Sequence, residues 1–313
     1  MTLRAGRAVE FLLARGTLPV LYWLKRDVLA VPVEREGRNL EKYADRIRLL
    51  DSQGPDGSWN GRKPSDSASY AQENRLFETI GNGFKLHDLG CSPEHPSLRR
   101  AADYIFSTQN REGGFESPDG HEPSPITQAL ALELLCRYRW GSDGRVQKGF
   151  RWLLSKRQKD GGWAVGEGKA NGRTAGSNGR RPLPSSFRVT GVVLRALAES
   201  PLLNRSRDAQ RAGECLLCRF FQDSSLSLGR APSIWEEISF PFWAAGLLSG
   251  LDSLARIGFK PDRDRVKQAL EWVMQKQSSA GYWESRGDRA NGEDSLWVTL
   301  AVLRMLKHFE VLP

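Results

Sequence analysis

The stretch QKDGGW, residues 158–163, is one of four similar phrases in this chain of 313 residues. The others are QGPDGSW at 53–59, QNREGGF at 109–115 and QSSAGYW at 277–283. In all four, a glycine follows the glutamine by four positions and an aromatic residue follows it by five or six. A phrase that returns along a chain indicates a repeat architecture, which has to be settled before any other feature of the fold.

The spacing of the four glutamines gives the size and number of the repeats. Successive glutamines lie 56, 49 and 119 residues apart, so the last gap is about two units long. A degenerate copy, FFQDSSLSLG at 220–229, stands near the middle of that gap. It keeps Gln222 but lacks the glycine and the tryptophan at the expected places. We therefore expect five units of roughly 50–60 residues.

Two kinds of helix alternate within these units. The stretch before each glutamine is amphipathic, as in DRVKQALEWVMQKQ at 264–277, whose apolar residues share one helical face. The stretch after each turn is apolar nearly all round, as in ITQALALELLCRY at 126–138 and SLWVTLAVLRML at 295–306. A helix that is apolar on every side is typically buried. Alternation at the period of a β-strand is scarce.

This pattern predicts an all-α fold, an α/α toroid in which an outer ring of helices surrounds an inner ring. We expect five to six helical hairpins in one toroid domain over residues 1–313. Residues 1–40 are predicted to form a helical lead-in, and 164–186 a flexible loop insertion, because that loop is rich in Gly, Asn, Arg and Ser.

The repeated phrase itself is interpreted as scaffold. Glycine allows the unusual backbone angles of a tight turn, glutamine can bond free helix-end groups, and the aromatic side chain fills a seam. Trp59, Phe115, Trp163 and Trp283 are expected to pack at equivalent seams. The apolar helices predict that the following side chains are almost fully buried: Leu130, Leu134, Val192, Leu197, Leu247, Leu300 and Leu303.

The repeats resemble the QW repeats of squalene–hopene cyclases and oxidosqualene cyclases, whose α/α toroid is shared by the β subunits of protein prenyltransferases. The stretch WEEISFPFWAAGLLSGLDSLARIGFKPDRDRVKQALEWVMQKQ at 235–277 is also similar to bacterial and archaeal single-toroid relatives of these enzymes. The resemblance covers roughly residues 40–310. It implies an isoprenoid or similarly apolar small-molecule ligand in a central cavity, at the N-terminal ends of the inner helices. It also implies acid-initiated cyclisation or isomerisation by a carboxylic acid whose pKa an apolar site raises.

The richest candidate site is SIWEEISFPFWAAG at 233–246. Aromatic faces stabilise carbocations, and a carboxylic acid at their rim could donate a proton. The predicted cavity wall consists of Trp235, Phe240, Phe242 and Trp243. The predicted acids are Glu236 and Glu237.

Other candidates stand at corresponding places in their units. Tyr70 and His121 lie in the segments before two inner helices, Arg188 opens the third inner helix, and Asp294 and Trp297 open the last. Asp294 is a candidate acid, and the other four are candidate ligand contacts. An aspartate near a helix start is also a common cap, and this second interpretation of Asp294 stays open.

The chain departs from the known enzymes at their diagnostic motifs. It contains no Asp-x-Asp-Asp proton-donor string, no Asp-Asp-x-x-Asp magnesium string and no Asp-x-Cys zinc pair. GEDSLW at 292–297 is a poor match to the first of these. Two alternatives therefore remain. One is a non-catalytic toroid that binds a lipid or a protein. The other is a carbohydrate-active toroid with carboxylates near 119–122 and 236–237 as the acid/base pair.

No metal and no cofactor are predicted. HDLGCSPEH at 87–95 places His87, Cys91 and His95 four residues apart, but Pro93 breaks any helix that would align them as zinc ligands.

Charge and composition limit the class of partner. The net charge is +9, yet the basic residues are spread along the chain without a nucleic-acid signature, so no nucleic-acid partner is expected. Four cysteines make no disulfide framework, which favours a cytoplasmic protein. The apolar run LPVLYWL at 18–24 is too short to span a bilayer. It predicts a packed first helix, with peripheral contact to a membrane surface as the alternative. The sequence leaves the oligomeric state open.

Overall fold

The computed structural model describes residues 2–59, 68–116, 123–164, 185–221, 238, 240, 246–286 and 292–312, with side chains omitted for 2–3 and 68–74. Thirteen α-helices lie within these residues, and one isolated β-bridge joins Gln109 to Phe115. The helices are α1 Thr2–Arg15, α2 Leu18–Trp23, α3 Glu34–Glu41, α4 Ala44–Asp51, α5 Ala68–Asp88, α6 Pro96–Ser107, α7 Pro125–Arg137, α8 Gly144–Ser155, α9 Phe187–Glu199, α10 Arg207–Leu217, α11 Leu247–Arg256, α12 Asp264–Gln275 and α13 Glu293–His308. The π-helical turn Leu24–Val28 continues α2.

The helices form the two rings of an α/α toroid, as predicted. The inner ring runs from α5 through α7, α9 and α11 to α13, each packed on the next, and α2 with its π-helical turn fills the gap beside α13. The outer ring consists of α1, α4, α6, α8, α10 and α12, so six hairpins share the core. The seven inner-helix side chains predicted to be buried are all at most 2 % exposed, which confirms the assignment of the two layers.

The N-terminal helix closes the ring against the last repeat. Gln277 Nε2 donates to the carbonyl of Arg4 at 2.8 Å, and Arg4 Nη1 donates to the carbonyl of Met274 at 2.8 Å. The rings of Phe11 and Tyr282 stack with their centroids 4.5 Å apart. The first helix of the predicted lead-in, α1, is therefore the sixth outer helix of the toroid.

The aromatic residue of each repeated phrase fixes an inner helix to an outer one. Trp59, Phe115, Trp163 and Trp283 are all buried, which confirms the predicted seams. The indole nitrogen of Trp163 donates to the carbonyl of Leu153 in the preceding outer helix at 2.7 Å. The backbone amide of Trp163 donates to Thr190 Oγ1 in the following inner helix at 3.1 Å. Corresponding pairs of bonds hold the other two tryptophans.

The glutamine bridges each turn to the next outer helix in three of the four phrases. Gln109 Nε2 donates to the carbonyl of Gly113 at 3.1 Å and to that of Arg145, in the first turn of α8, at 2.9 Å. Gln53 and Gln277 make the same two kinds of bond. Gly113 has φ +105°, and a Cβ there would lie 2.6 Å from the carbonyl oxygen of Lys148, so this turn requires glycine.

The third phrase corrects the predicted alignment of the repeats. The side chain of Gln158 donates only a long 3.4 Å bond to the carbonyl of Lys156, inside its own turn. Arg157 occupies the position of the other glutamines, and it forms an ion pair with Asp208 in the first turn of α10. The phrase is one residue shorter, and its aromatic residue at five positions rather than six was the sequence signal of this shift.

The apolar run at 18–24 packs into the protein. Val20, Trp23 and Leu24 are buried, as the packed-helix interpretation predicts. Within the described part of the chain, a helix with the length and hydropathy needed to cross a bilayer is not found.

Candidate functional site

A cavity of about 1330 Å³ lies inside the inner ring and opens to solvent. Side chains from α5, α7, α9, α11 and α13 form its wall, together with α2, its π-helical turn and one side of α4. The wall carries a pair of aromatic side chains at the start of α13 and a dense set of charged side chains elsewhere.

The aromatic region lies at the start of α13. Phe240 and Trp297 stack with ring centroids 5.3 Å apart and planes 6° from parallel, and both line the cavity. The backbone amide of Phe240 donates to Ser285 Oγ at 3.2 Å, which ties this residue to the last repeat. The sequence predicted both aromatic residues as ligand contacts, and the structure brings them together.

Asp294 lies one turn before Trp297 and is buried. Its side chain is not part of the cavity wall, whereas that of the neighbouring Glu293 is. Because α13 begins at Glu293, the two carboxylates lie in its first turn and interact favourably with the helix dipole. Glu293 is thus a cavity-facing acid that the search for known motifs did not select.

The charged region lies at the C-terminal ends of the inner helices. Four helices each carry two ionisable side chains four residues apart, and therefore on one helical face, in their last turns. These pairs are Glu133 and Arg137 in α7, Arg195 and Glu199 in α9, Asp252 and Arg256 in α11, and Arg304 and His308 in α13. Because the order of the signs reverses from α7 to α9 and again to α11, opposite charges face each other around the ring.

Ion pairs join these helices. Glu133 contacts Arg137 at 2.9 Å in its own helix and Arg195 at 2.8 Å in the next. Glu199 contacts Arg256 at 2.7 Å. The ring continues from Asp252 to His308 at 2.7 Å, and from Arg304 to Asp27 of the π-helical turn at 2.6 Å. We call this set the charged ring: Asp27, Glu133, Arg137, Arg195, Glu199, Asp252, Arg256, Arg304 and His308.

The charged ring keeps the carboxylates of Glu199 and Asp252 ionised. Burial alone would raise the pKa of Glu199, but Arg137 and Arg256 outweigh burial and lower this pKa to about 2. Burial also acts to raise the pKa of Asp252, and the contact with His308 outweighs it, so that this pKa too is lowered. Neither group holds a proton near neutral pH, so neither can serve as a proton donor there.

Trp23 connects the charged ring to α5. Its indole nitrogen donates to the carbonyl of Asp88 at 2.6 Å, and its ring stacks on His87 with centroids 4.8 Å apart. The guanidinium carbons of Arg26 and Arg304 lie 3.8 and 4.9 Å from the centre of the Trp23 ring. Burial lowers the pKa of His87, and Arg137 adds to this effect against the opposing influence of Asp88.

The described part of the cavity wall lies largely at the C-terminal ends of the inner helices and is charged there. The resemblance implied apolar walls at their N-terminal ends; most of the segments before the inner helices lie outside the described residues, so that expectation stays a prediction. Helix C-termini favour nearby cations, and opposite charges on adjacent helices then balance them. The sequence signal was a pair of ionisable residues four apart near the end of each apolar helix.

The other predicted site residues are placed as follows. Arg188 is the second residue of α9; it is exposed and does not belong to the described cavity wall. Tyr70 lies in α5, but its side chain falls outside the described part of the structure. The remaining predicted residues also lie outside it: His121, Trp235, Glu236, Glu237, Phe242 and Trp243. Their roles stay predictions.

The stretch considered for zinc has other contacts. His87 lies in the last turn of α5. His95 precedes α6, where its Nδ1 accepts a 3.2 Å hydrogen bond from the amide of Ser97. Cys91 is buried between them, and burial raises the pKa of its thiol. Among the residues that the structure describes, no group of three potential ligands is placed to hold a metal ion.

Comparisons with known proteins show a likeness of fold. No family model matches the chain, and no curated protein matches it. A crystal structure of a protein from Actinoplanes has a TM-score of 0.53 at 15 % identity, over 98 % of each chain. The type II terpene cyclase MstE from Scytonema has a TM-score of 0.34 at 15 % identity, over 87 % of this chain and 99 % of its own. A glycosidase variant in complex with glucose has a TM-score of 0.40 at 14 % identity, over 100 % of this chain and 88 % of its own.

Proposed function

We propose that this protein binds an isoprenoid or similarly apolar small molecule in its central cavity, as a terpenoid-cyclase-like toroid. The observation that carries the proposal is the stacked pair of Phe240 and Trp297 on the cavity wall. Aromatic faces bury apolar surface and also stabilise a cation through their negative electrostatic potential. This combination suits an unsaturated hydrocarbon chain and a carbocation formed from it.

The proposed reaction is acid-initiated cyclisation or isomerisation. A carboxylic acid would donate a proton to a carbon–carbon double bond, and the resulting carbocation would end by losing a proton. The proposed donors are Asp294, Glu236 and Glu237. Asp294 is buried one turn from Trp297. The two glutamates are separated from Phe240 by only a few residues of sequence.

The ion pairs of the charged ring disfavour the carbohydrate-active alternative at that end of the cavity. Glycoside hydrolysis needs one carboxyl group that keeps its proton and one that is ionised. Glu133, Glu199 and Asp252 each contact a basic side chain, and the pKa of Glu199 is lowered to about 2. Glu199 and Asp252 therefore stay ionised and cannot act as the member of the pair that gives up a proton.

Binding is tested by titrating the protein with farnesol and following tryptophan fluorescence and heat. Trp297→Phe keeps an aromatic ring of smaller area and should weaken binding several-fold, whereas Trp297→Ala should weaken it further. Trp272→Ala, on the outer helix α12, is the matched control and should leave the affinity unchanged. Equal affinities in all four proteins would place the ligand elsewhere and refute the proposal.

Catalysis is tested separately by incubating the protein with linear isoprenoids and identifying the products by mass spectrometry. Asp294→Asn, Glu236→Gln and Glu237→Gln each remove an acid while keeping its size. One of these variants should lose turnover and keep its affinity for the ligand. A wild-type protein that binds farnesol and converts none of the isoprenoids supports the non-catalytic binding toroid instead.

A further inference from the structure

Arg46, in the first half of α4, is buried and differs from the half-buried arginines of the charged ring. Its side chain lines the cavity, and the residue is only 6 % exposed. The structure shows acidic contacts for Arg137, Arg195, Arg256 and Arg304, all between 2.6 and 2.9 Å. Among the described residues, Arg46 has no acidic partner. This is unexpected, because burying a charge without a counter-charge is costly.

The hydrogen bonds of Arg46 are also incomplete. Nη1 donates a long bond of 3.4 Å to the carbonyl of Gly90, and Nε is buried with no hydrogen-bond partner. The acids nearest in sequence do not supply the missing charge, since Glu41 and Asp45 are both exposed and Asp45 pairs with Arg48. A guanidinium has five N–H donors, so most of the donors of Arg46 are left for another molecule.

The start of α4 places backbone N–H donors near Arg46, and Arg48 pairs with the carboxylate of Asp45 in the same turn. Arg46 lies in the first turn of α4, and Tyr43, which precedes this helix, makes no side-chain cap. The first amide groups of α4 therefore remain free to bind an anion. Cys91 and His95 lie close enough to Arg46 for its charge to act on both, and Arg100 acts on His95 as well. The stretch that looked like a zinc site thus surrounds a cation, which opposes metal binding.

We propose that Arg46 and the start of α4 form an oxyanion subsite, which binds a carboxylate or phosphate head group carried by the ligand of the cavity. This inference rests on the proposed function for the apolar part of the ligand and extends it to an amphiphile. Arg46 lines the same cavity as Phe240 and Trp297. One ligand could therefore reach both the subsite and the aromatic pair.

The subsite is tested without any hydrocarbon chain, so that its failure differs from failure of the proposed function. Calorimetry at low ionic strength measures binding of pyrophosphate and of acetate to the full chain. Arg46→Met removes the charge and keeps much of the apolar stem. We expect it to weaken anion binding by about tenfold or more, the usual effect of losing a charged hydrogen bond. Arg38→Met, the control at an exposed arginine of α3 that is not part of the cavity wall, should change the affinity by less than about twofold.

Thermal unfolding in anion-free buffer separates a binding role from a structural one. Because Arg46 lacks a counter-charge there, Arg46→Met should unfold at the same temperature as wild type or higher. Pyrophosphate should raise the unfolding temperature of wild type and not that of the variant. Tighter binding of pyrophosphate identifies a phosphate head group, and tighter binding of acetate a carboxylate.

Three results would overturn the subsite. They are absence of anion binding to wild type, equal affinities in the Arg46 and Arg38 variants, and a large fall in the unfolding temperature of Arg46→Met in anion-free buffer. Farnesol binding is scored independently. A protein that binds pyrophosphate through Arg46 but does not bind farnesol keeps the subsite and loses the proposed function.

Discussion

Replacing Glu199 by glutamine should destabilise the protein strongly, because this side chain joins two helices of the charged ring. Its carboxylate lies 2.7 Å from Arg256 and 3.8 Å from Arg137. Glutamine keeps the size of the side chain and removes the charge. Both arginines are then left buried with reduced compensation.

The pKa of Glu199 gives the size of the expected loss of stability. This pKa falls from its ordinary value of 4.5 to about 2, as Arg137 and Arg256 overcome the opposing effect of burial. A pKa difference of one between the folded and the unfolded state corresponds to about 1.36 kcal/mol. The ionised carboxylate of Glu199 therefore contributes about 3 kcal/mol to stability near neutral pH. This value agrees with the range of about 3–5 kcal/mol found when one member of a buried ion pair is removed.

The pH dependence follows from the direction of the change. Because the pKa is lower in the folded state, the stabilisation is fully present above about pH 4.5 and is lost as the pH falls towards 2. The difference between wild type and Glu199→Gln should therefore be largest at pH 7 and shrink to about half or less by pH 3.

Urea unfolding followed by circular dichroism at several pH values measures this difference. Glu214→Gln is the matched control, since Glu214 forms an exposed pair with Arg263 at 2.8 Å and should cost less than about 1 kcal/mol. Exposed ion pairs contribute up to about 1 kcal/mol. If the free energy of unfolding of Glu199→Gln lies within about 1 kcal/mol of the wild-type value at pH 7, the reasoning is refuted. A difference that stays constant with pH would refute it as well.

Three further substitutions test the repeat scaffold, each measured by urea unfolding. Gln109→Ala loses two bridging hydrogen bonds and should cost about 1–3 kcal/mol. Gln158→Ala should cost less than about 0.5 kcal/mol. Equal costs would contradict the shifted alignment of the third phrase. Gly113→Ala forces the new Cβ against backbone atoms at φ +105° and should cost about 1–3 kcal/mol or more. Gly6→Ala has open space in a helix and should be neutral or stabilising. Thr190→Val leaves the buried backbone amide of Trp163 without its acceptor and should cost about 1–3 kcal/mol. Thr190→Ser keeps the hydroxyl and should retain most of that stability. A valine variant as stable as wild type would show that this hydrogen bond contributes little.

The sequence predicted the fold well because the fold depends on short-range patterns. Helical periodicity, apolar character on every side and glycine turns at a regular spacing are local properties, and they determine which helices are inner and which are outer. The alignment of the third phrase failed by one residue because the glutamine was matched by identity. The structure shows that this position of the repeat is defined by its contact with the next outer helix. In the third phrase Arg157 makes that contact through its ion pair with Asp208.

The site was predicted less completely for a physical reason. Phe240 and Trp297 are 57 positions apart, and both were selected as aromatic residues near helix starts; their stacking needed the structure. The charged ring depends on pairing between helices distant in sequence, such as Glu133 with Arg195 and Arg304 with Asp27. The significance of Arg46 depends on which contacts it lacks, and a sequence does not record missing contacts.

The central claim is that one amphiphilic ligand occupies the cavity between the aromatic pair and Arg46. A crystal structure of the protein grown with farnesyl diphosphate tests this claim most directly, because it locates both ends of the ligand at once. We expect the hydrocarbon chain against the rings of Phe240 and Trp297, and diphosphate oxygens within hydrogen-bond distance of the Arg46 guanidinium. Ligand density outside the inner ring, or a diphosphate bound away from Arg46 with the hydrocarbon chain in solvent, would contradict it.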